Sequence, residues 1–329
     1  MTRVLAVLIG AVLCSAVRAE SAASYAGRTE VRVFVRELVE RHGFVEKELM
    51  RVFERAKRQE AILKAVKMPP SGNKSWAEYR ANFVNPERVQ AGLRFWEKYR
   101  AALERAQHEF GVPGELVVAI IGIETFYGKR TGSWRVIDAL STLAFDYPPR
   151  APFFRSQLEH FLLFARDGQL DVLSVHGSYA GAIGIPQFMP GSYRHYAVDF
   201  DGDGALDLRG NAVDAIGSVA NFLKQHGWRS GEPVLLDAEV NGSDLKTYTD
   251  GGLQPRHTLE ELARAGARSL GVAPAEARAV LVELATPRMP SDFRIGLHNF
   301  WVITHYNRSA FYASAVVDLA RSLRAATPR

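Results

Sequence analysis

In the stretch "ELVVAIIGIETFYG" at residues 115–128, seven apolar residues and one glycine follow Glu115 and lead to a second carboxylate, Glu124. On a helix, the side chains of Val117, Ile120 and Ile121 share the face of this carboxylate. Burial disfavours the charged form, so the pattern predicts a raised pKa, which a general acid needs near neutrality. The alternative is a structural glutamate that bonds a backbone group or an arginine at the helix end.

Composition and charge restrict the class of protein. The chain has 329 residues, 47% of them hydrophobic, and a single cysteine, so an ordinary core of one large or two to three smaller domains is predicted. The pI of about 9.3 suits an anionic partner such as cell wall or a membrane surface, although the net charge of +5 is mild. No nucleic-acid motif accompanies this charge, and no nucleic-acid partner is predicted.

The first residues have the pattern of a signal peptide. Arg3 precedes an apolar run, and Val17 and Ala19 occupy the small-residue positions of a cleavage site, which predicts export and cleavage near Ala19. An N-terminal membrane anchor is the first alternative, but the run is shorter than the roughly 20 residues of a span. A lipoprotein anchored through Cys14 is the second, disfavoured because Leu13 stands where a small residue is expected.

Hydrophobic periodicity predicts a mostly helical chain with a small β insert. Helices are predicted over 29–66 with a division at Gly43, and over 86–110, 114–127, 152–165 and 212–226. Between Glu232 and Leu284, the segments "EPVLLDAEV" and "RAVLVELAT" are typical of strands. From Gly296 the chain is aromatic and then helical again.

Two further stretches contain candidate binding residues. "GSYAGAIGIPQFMPGSY" begins at Gly177 and combines small residues with hydroxyl and amide groups, which suits either a ligand-binding wall or a tight turn. "DFDGDGALDLRGN" begins at Asp199 and matches the first nine positions of an EF-hand loop, but Gly210 occupies the twelfth position, where a glutamate belongs. A calcium sensor, a structural calcium site and an empty acidic turn are the three interpretations.

Together these segments resemble the B-type lytic transglycosylases, bacterial enzymes that cut the glycan strands of peptidoglycan. The resemblance rests on "IGIETFYG", "DALSTLAFDYPPRAPFF", "GSYAGAIGIPQFMPGSYRHYAVDFDGDG", "VDAIGSVANFLKQHGW" and "HNFWVITHYNRSAFYA". It implies an α+β, mostly α fold, with a lysozyme-like catalytic core, an α-helical domain and a small β module. The implied divisions are a signal peptide at 1–19, a helical region at 20–110, the core at 111–228, the β module at 229–292 and a C-terminal segment at 293–329.

The resemblance implies a mechanism with one carboxylate. Glu124 would protonate the oxygen between N-acetylmuramic acid and N-acetylglucosamine, and would then take the proton of the C6 hydroxyl. That oxygen would close on C1 and leave a 1,6-anhydromuramoyl end. The substrate would be peptidoglycan in the periplasm, and penicillin-binding proteins or other wall-synthesis proteins are partners that the resemblance leaves open.

Six substrate contacts follow from the resemblance. They are Ser178, Tyr179, Gln187, Tyr306, Asn307 and Arg150. Ser178 and Gln187 match positions near the cleavage point, whereas Arg150 would meet a stem-peptide carboxylate or form a structural ion pair. The family often has tyrosine and glycine where this chain has Ile185 and Pro186, which alters the expected groove wall.

The resemblance also implies a longer calcium loop, closed by Asp214 a few residues after the usual twelfth position. The predicted ligands are Asp199, Asp201, Asp203, the carbonyl of Ala205 and Asp214, with Asp207 nearby through water. Crowded carboxylates repel one another unless a cation neutralises them, and an all-oxygen set favours Ca²⁺. A single loop suits a structural Ca²⁺ site rather than a sensor, and no cofactor is predicted for catalysis.

Three alternative functions remain at this point. A hydrolytic muramidase would need a second carboxylate, for which Asp138 and Asp146 are candidates. A non-catalytic wall-binding scaffold would use Glu124 structurally. A calcium-responsive interaction protein is disfavoured by the solitary loop.

Overall fold

The computed structural model describes residues 24–67, 74–241 and 245–327. The predicted cleavage site at Ala19 and the alternative lipid anchor at Cys14 lie outside these ranges. The chain divides after Arg55 into two compact units. Within the described ranges, every helix is too short or too polar to span a membrane.

The first unit is a small helical assembly. Its elements are a 3₁₀ helix at Tyr25–Gly27, α1 at Thr29–His42 and α2 at Glu46–Arg55. Gly43 ends α1 in the left-handed conformation, with φ of 66°, so the predicted division at this glycine is confirmed. The rings of Phe34 and Phe53 pack edge to face across the two helices, with centroids 6.2 Å apart.

The second unit contains the remaining helices. They are α3 Glu60–Ala65, α4 Trp76–Phe83, α5 Pro86–Lys98, α6 Arg100–Phe110, α7 Gly114–Thr125, α8 Val136–Asp146, α9 Ala151–Asp167, α10 Pro190–Tyr196, α11 Ala212–Gln225, α12 Lys246–Thr249, α13 Leu259–Arg264, α14 His298–Thr304 and α15 Ala310–Ala326, with a 3₁₀ helix at Pro148–Arg150. The single helix predicted over 86–110 is wrong: Tyr99, at φ −115° and ψ 26°, separates α5 from α6. The segment 29–66 likewise forms three helices rather than two.

In the described part of the chain, the strands form two antiparallel sheets. The first pairs β1 Trp134–Arg135 with β2 His176–Gly177, and the second has the order β4-β6-β7-β3-β5. Its strands are β3 Leu235–Val240, β4 His257–Thr258, β5 Ala267–Ser269, β6 Arg278–Leu284 and β7 Asp292–Gly296. Leu281, Ile295 and Leu236 lie opposite one another across the three central strands and pack into one apolar cluster. The mostly α fold with a small β module is confirmed.

Helix α7 lies at the centre of the second unit. It packs against α5, α6, α11 and α15, which explains why it is apolar on every side. The ring of Tyr127 fits between Gly92 of α5 and Gly122 of α7, and a Cβ at Gly122 would lie 2.7 Å from Tyr127 Cζ. The hydroxyl of Tyr127 donates to the carbonyl of Arg88 at 2.9 Å. These glycines therefore set how closely α5 approaches α7.

A buried ion cluster fixes α15 to the five-stranded sheet and to α4. Asp318 of α15 accepts from Arg294 Nη1 of β7 at 2.5 Å and from Arg80 Nε of α4 at 2.6 Å. Asp318 and Arg294 are both buried. Arg294 also bonds Asp292 at 2.8 Å, and the Trp76 indole donates to the same carboxylate at 3.2 Å.

Asp318→Ala is expected to lower the free energy of unfolding by about 3 kcal/mol, since it leaves Arg294 buried with a reduced set of partners. Urea unfolding measures this change. The matched control is Asp237→Ala, which removes the exposed pair with Arg321 and should cost about 0–1 kcal/mol. Equal losses in the two variants would contradict a special role for the buried cluster.

Candidate active site

Glu124 occupies the last turn of α7, where the helix ends abruptly. It is half-buried, and Phe126 and Tyr127 follow with positive φ of 51° and 61°, a backbone conformation that bulky residues rarely adopt. Burial raises the pKa of Glu124 to about 7, while the hydroxyl of Tyr312, which donates to Glu124 Oε1 at 2.6 Å, acts in the opposite direction. The carboxyl group is therefore partly protonated near neutral pH.

Three tyrosines form a cluster around this carboxylate: Tyr79 of α4, Tyr306 after α14, and Tyr312 of α15. Burial, and then the charge of Glu124, raise the pKa of Tyr79 to about 12 and those of Tyr306 and Tyr312 well above their ordinary value. The rings of Tyr306 and Tyr312 stack with centroids 6.4 Å apart. All three therefore remain neutral hydrogen-bond donors at the pH where Glu124 titrates.

The segment predicted to line a groove is tied to the end of α7. The hydroxyl of Thr125 donates to the carbonyl of Ile185 at 2.8 Å, and the hydroxyl of Tyr306 donates to the carbonyl of Pro186 at 2.6 Å. Gln187, at φ of 52°, donates from its amide to two backbone carbonyls at 3.1 and 2.8 Å. The structure thus brings Gln187 and Tyr306 together beside the helix turn that carries Glu124.

Of the other predicted substrate residues, Ser178 and Tyr179 belong to this segment, Asn307 follows Tyr306, and Arg150 ends the 3₁₀ helix before α9. Ser178 is half-buried, and its hydroxyl accepts from the backbone amides of Ala180 and Ala182 at 3.3 and 3.0 Å. Tyr179 and Asn307 are exposed. The guanidinium of Arg150 lies over the ring of Phe153, 4.5 Å from its centroid, so a cation–π contact holds it.

The two carboxylates proposed for a hydrolytic alternative are both bonded to arginines. Asp138 is buried and accepts from Arg135 Nη2 at 2.8 Å and from the amide of Lys57 at 2.9 Å. Asp146 pairs with Arg58 Nε at 3.4 Å. These contacts give both groups a structural role between α3 and α8.

Carboxylates of the acidic loop converge. One oxygen from each of Asp199, Asp201 and Asp203 lies within 4.8 Å of the others, and all three side chains are exposed. Asp199 accepts from the amides of Gly202 and Gly204 at 2.8 and 2.9 Å, which folds the chain into a tight turn. Three negative oxygens at this spacing fit a hard divalent cation such as Ca²⁺.

Asp214 closes the loop from the first turn of α11. It is buried, and its two oxygens accept from the amides of Phe200 and Asp207 at 2.8 and 2.9 Å. Asn211, which no metal-ligand pattern in the sequence indicates, caps α11 and donates to Asp201 Oδ2 at 2.7 Å. That Asp214, the carbonyl of Ala205 and Asp207 contribute to a cation remains a prediction.

Comparison with known proteins assigns the chain to a family. Residues 26–321 match the family described as transglycosylase SLT domain. The chain belongs to this family. It is therefore a transglycosylase, as the resemblance in its motifs predicted.

Individual relatives support the assignment to this family. The membrane-bound lytic murein transglycosylase B of Escherichia coli (strain K12) is 41% identical over 308 residues, which cover 91% of this chain and 84% of the relative. The crystal structure of soluble lytic transglycosylase SltB1 from Pseudomonas aeruginosa is 47% identical, covers 90% of this chain and 99% of that one, and has a TM-score of 0.84.

Two related structures contain ligands. The Escherichia coli lytic transglycosylase Slt35 in complex with calcium is 41% identical, covers 92% of this chain and 95% of that one, and has a TM-score of 0.82. SltB3 from Pseudomonas aeruginosa in complex with NAG-anhNAM-pentapeptide is 31% identical, covers 90% of this chain and 79% of that one, and has a TM-score of 0.78. Relatives of this chain therefore bind calcium and peptidoglycan fragments.

Tyr312→Phe is expected to raise the pKa of Glu124 above about 7, by about one pH unit, because it removes a hydrogen bond that favours the carboxylate. The protonated form would then persist to higher pH. Infrared difference spectroscopy of the carboxylic acid band measures this titration, with Glu124→Gln to identify the band. A fall in the pKa would show that the phenol is not the main stabiliser of the anion.

Proposed function

We propose that this protein is a peptidoglycan lytic transglycosylase that cleaves the β-1,4 bond between N-acetylmuramic acid and N-acetylglucosamine and leaves 1,6-anhydromuramoyl ends. The observation that supports this most is the single half-buried carboxylate of Glu124. Its pKa of about 7 lets it act as an acid and then as a base.

In the first step, protonated Glu124 donates its proton to the glycosidic oxygen. The bond from that oxygen to C1 of the muramic acid breaks, and the N-acetylglucosamine end leaves with a hydroxyl at C4. Positive charge develops at the muramoyl C1, while Glu124 becomes a carboxylate. The hydroxyl of Tyr312, 2.6 Å from Oε1, stabilises this anion by a charge-assisted hydrogen bond.

The second step restores the acid. The Glu124 carboxylate takes the proton from the C6 hydroxyl of the same sugar, and the C6 oxygen bonds to C1. The proton count balances and no water is consumed, so the site has to limit water near the cation. The tyrosine cluster, whose members Tyr306 and Tyr312 pack as stacked rings, supplies apolar surface for this purpose.

A single-carboxylate mechanism is favoured over hydrolysis because the candidate second carboxylates already have partners. Asp138 and Asp146 are each bonded to an arginine. A retaining glycosidase, in contrast, keeps its second carboxylate free to attack the sugar.

The groove residues are assigned substrate contacts. Gln187 and Ser178, held by backbone bonds, would orient the sugars near the cleaved bond, and Tyr179 and Asn307 would line the exposed part of the groove. Arg150, displayed over Phe153, would bind a stem-peptide carboxylate. The protein would act in the periplasm, where peptidoglycan lies.

Structural Ca²⁺ is proposed for the acidic loop, held by Asp199, Asp201 and Asp203 with help from the carbonyl of Ala205 and from Asp207 and Asp214. The ion would neutralise the crowded carboxylates and fix the start of α11. It would take no part in the chemistry, for which Glu124 supplies both the acid and the base.

Mass spectrometry of products from purified peptidoglycan tests the reaction. Wild type should release muropeptides lighter than reducing muropeptides by the mass of one water, and Glu124→Gln should lose this activity by at least about a thousandfold. Glu115→Gln, a change at the other glutamate of α7, is the matched control and should retain activity.

Other products would identify the alternatives. Reducing ends would make the protein a hydrolytic muramidase. Binding to peptidoglycan without release by the wild type would make it a scaffold.

Calcium is expected to raise the melting temperature, because an ion that binds only the folded state stabilises it by about 2.7 kcal/mol at a hundredfold excess over its Kd. Calorimetry with Ca²⁺ and with a chelator measures the difference. Asp201→Asn should abolish it, whereas Asp171→Asn, a change at an exposed aspartate outside the loop, should not. An equal shift in both variants would place the calcium effect elsewhere.

A further inference from the structure

A row of aromatic rings leads away from the tyrosine cluster. From Tyr306 the ring centroids follow at 4.9 Å to Phe222, 4.1 Å to His226, 5.0 Å to His305 and 4.6 Å to Trp301. Phe222 is buried and supports the row, whereas the other four side chains are partly or fully exposed. We call these five residues the aromatic wall.

The aromatic wall ends in a cavity between α14 and the five-stranded sheet. The cavity has a volume of about 510 Å³, and Trp301 and His298 form one side of it. Pro233, Pro255 and Pro274 contribute rigid apolar surface to the other sides. A concave site with aromatic and apolar walls and a few polar groups is typical of small-ligand recognition.

The charged groups around this cavity balance one another. Arg229 and Arg278 line it together with Glu232 and Glu276, and all four are exposed. Arg229 lies 3.5 Å from Glu232, so one pair is already formed. The cavity thus offers donors and acceptors without a net charge, which suits a neutral, hydroxyl-rich ligand better than an anion.

The cavity is preformed by a buried asparagine. Asn299 of α14 accepts from the amide of Arg229 at 2.9 Å and donates to the carbonyls of Arg229 and Glu232 at 2.8 and 3.0 Å. It is fully buried. The chain that carries the polar rim is therefore fixed to the helix that carries Trp301, and binding would cost little reorganisation.

We propose that the aromatic wall and this cavity form a distal glycan-binding site, which extends the active-site groove and holds the strand several sugars from the cleaved bond. The proposal rests on the proposed function for the identity of the strand. Sugar rings have apolar faces, which stack on Trp301, and hydroxyl and acetamido groups, which bond to the balanced polar rim. The partly exposed rings of the wall, from Tyr306 to Trp301, give the strand its path over the buried Phe222.

The test measures how tightly peptide-free glycan strands of different lengths bind to the full chain. The protein carries Glu124→Gln, so that it does not cleave the strands. Calorimetry compares tetrasaccharides with long strands. Long strands should bind more tightly, and Trp301→Ala should lower the ratio of the two affinities by about tenfold, as expected for one lost stacking contact. Trp301→Phe, which retains an aromatic face, should restore most of this ratio.

Tyr248→Ala serves as the matched control, because Tyr248 is a half-exposed aromatic residue of the β module outside the cavity lining, and it should leave the ratio unchanged. The proposal is overturned if the protein without a change at Trp301 shows no preference for long strands over tetrasaccharides. It is also overturned if Trp301→Ala weakens the binding of short and long strands equally, or if Trp301→Phe lowers the affinity ratio as much as Trp301→Ala does. Failure of the proposed function is distinguishable: the active protein would then release no anhydro products, whatever the binding data show.

Discussion

The chemistry of the candidate site depends on one hydrogen bond, from Tyr312 to Glu124, between residues 188 positions apart. Helix α7 builds the centre of the second unit because it is apolar on every side, and the same burial gives its one carboxylate a raised pKa. The hydroxyl of Tyr312, which partly offsets this rise in pKa, comes from α15. Since the buried contacts of Asp318 hold α15 against the sheet and α4, distant parts of the chain determine the chemistry of a single group.

Local patterns singled out Glu124 but not its hydrogen-bond partner or the tyrosines around it. A glutamate after an apolar run is visible in a short window, as are the aspartates of the acidic loop. Tyr312 and Tyr79 carry no such signal, because only the packing of α15 and α4 brings them to Glu124. The break at Tyr99 was missed for a similar reason: neither glycine nor proline marks it, and the helical spacing continues across it. The mostly α fold followed from the helical periodicity of the sequence. Strand β7 could not be predicted from its pattern, because it is short and one of its buried residues is an arginine.

Helix α11 connects two regions that looked unrelated in the sequence. Its first turn carries Asp214, which bonds the amides of the acidic loop, and its last turns carry Phe222 and Gln225 before His226. An ion in the loop would therefore stabilise the same helix that supports the aromatic wall. The acidic loop is thus connected through a rigid helix to the proposed glycan-binding wall.

The fit of Tyr127 against Gly92 and Gly122 also constrains which substitutions this chain tolerates. A side chain at either glycine would meet the phenol ring, and a smaller residue at 127 would leave a void between α5 and α7. The three positions are therefore energetically coupled. A single substitution at any of them is expected to disturb the contact between α5 and α7, and with it the turn that carries Glu124, unless a second of the three residues changes to compensate.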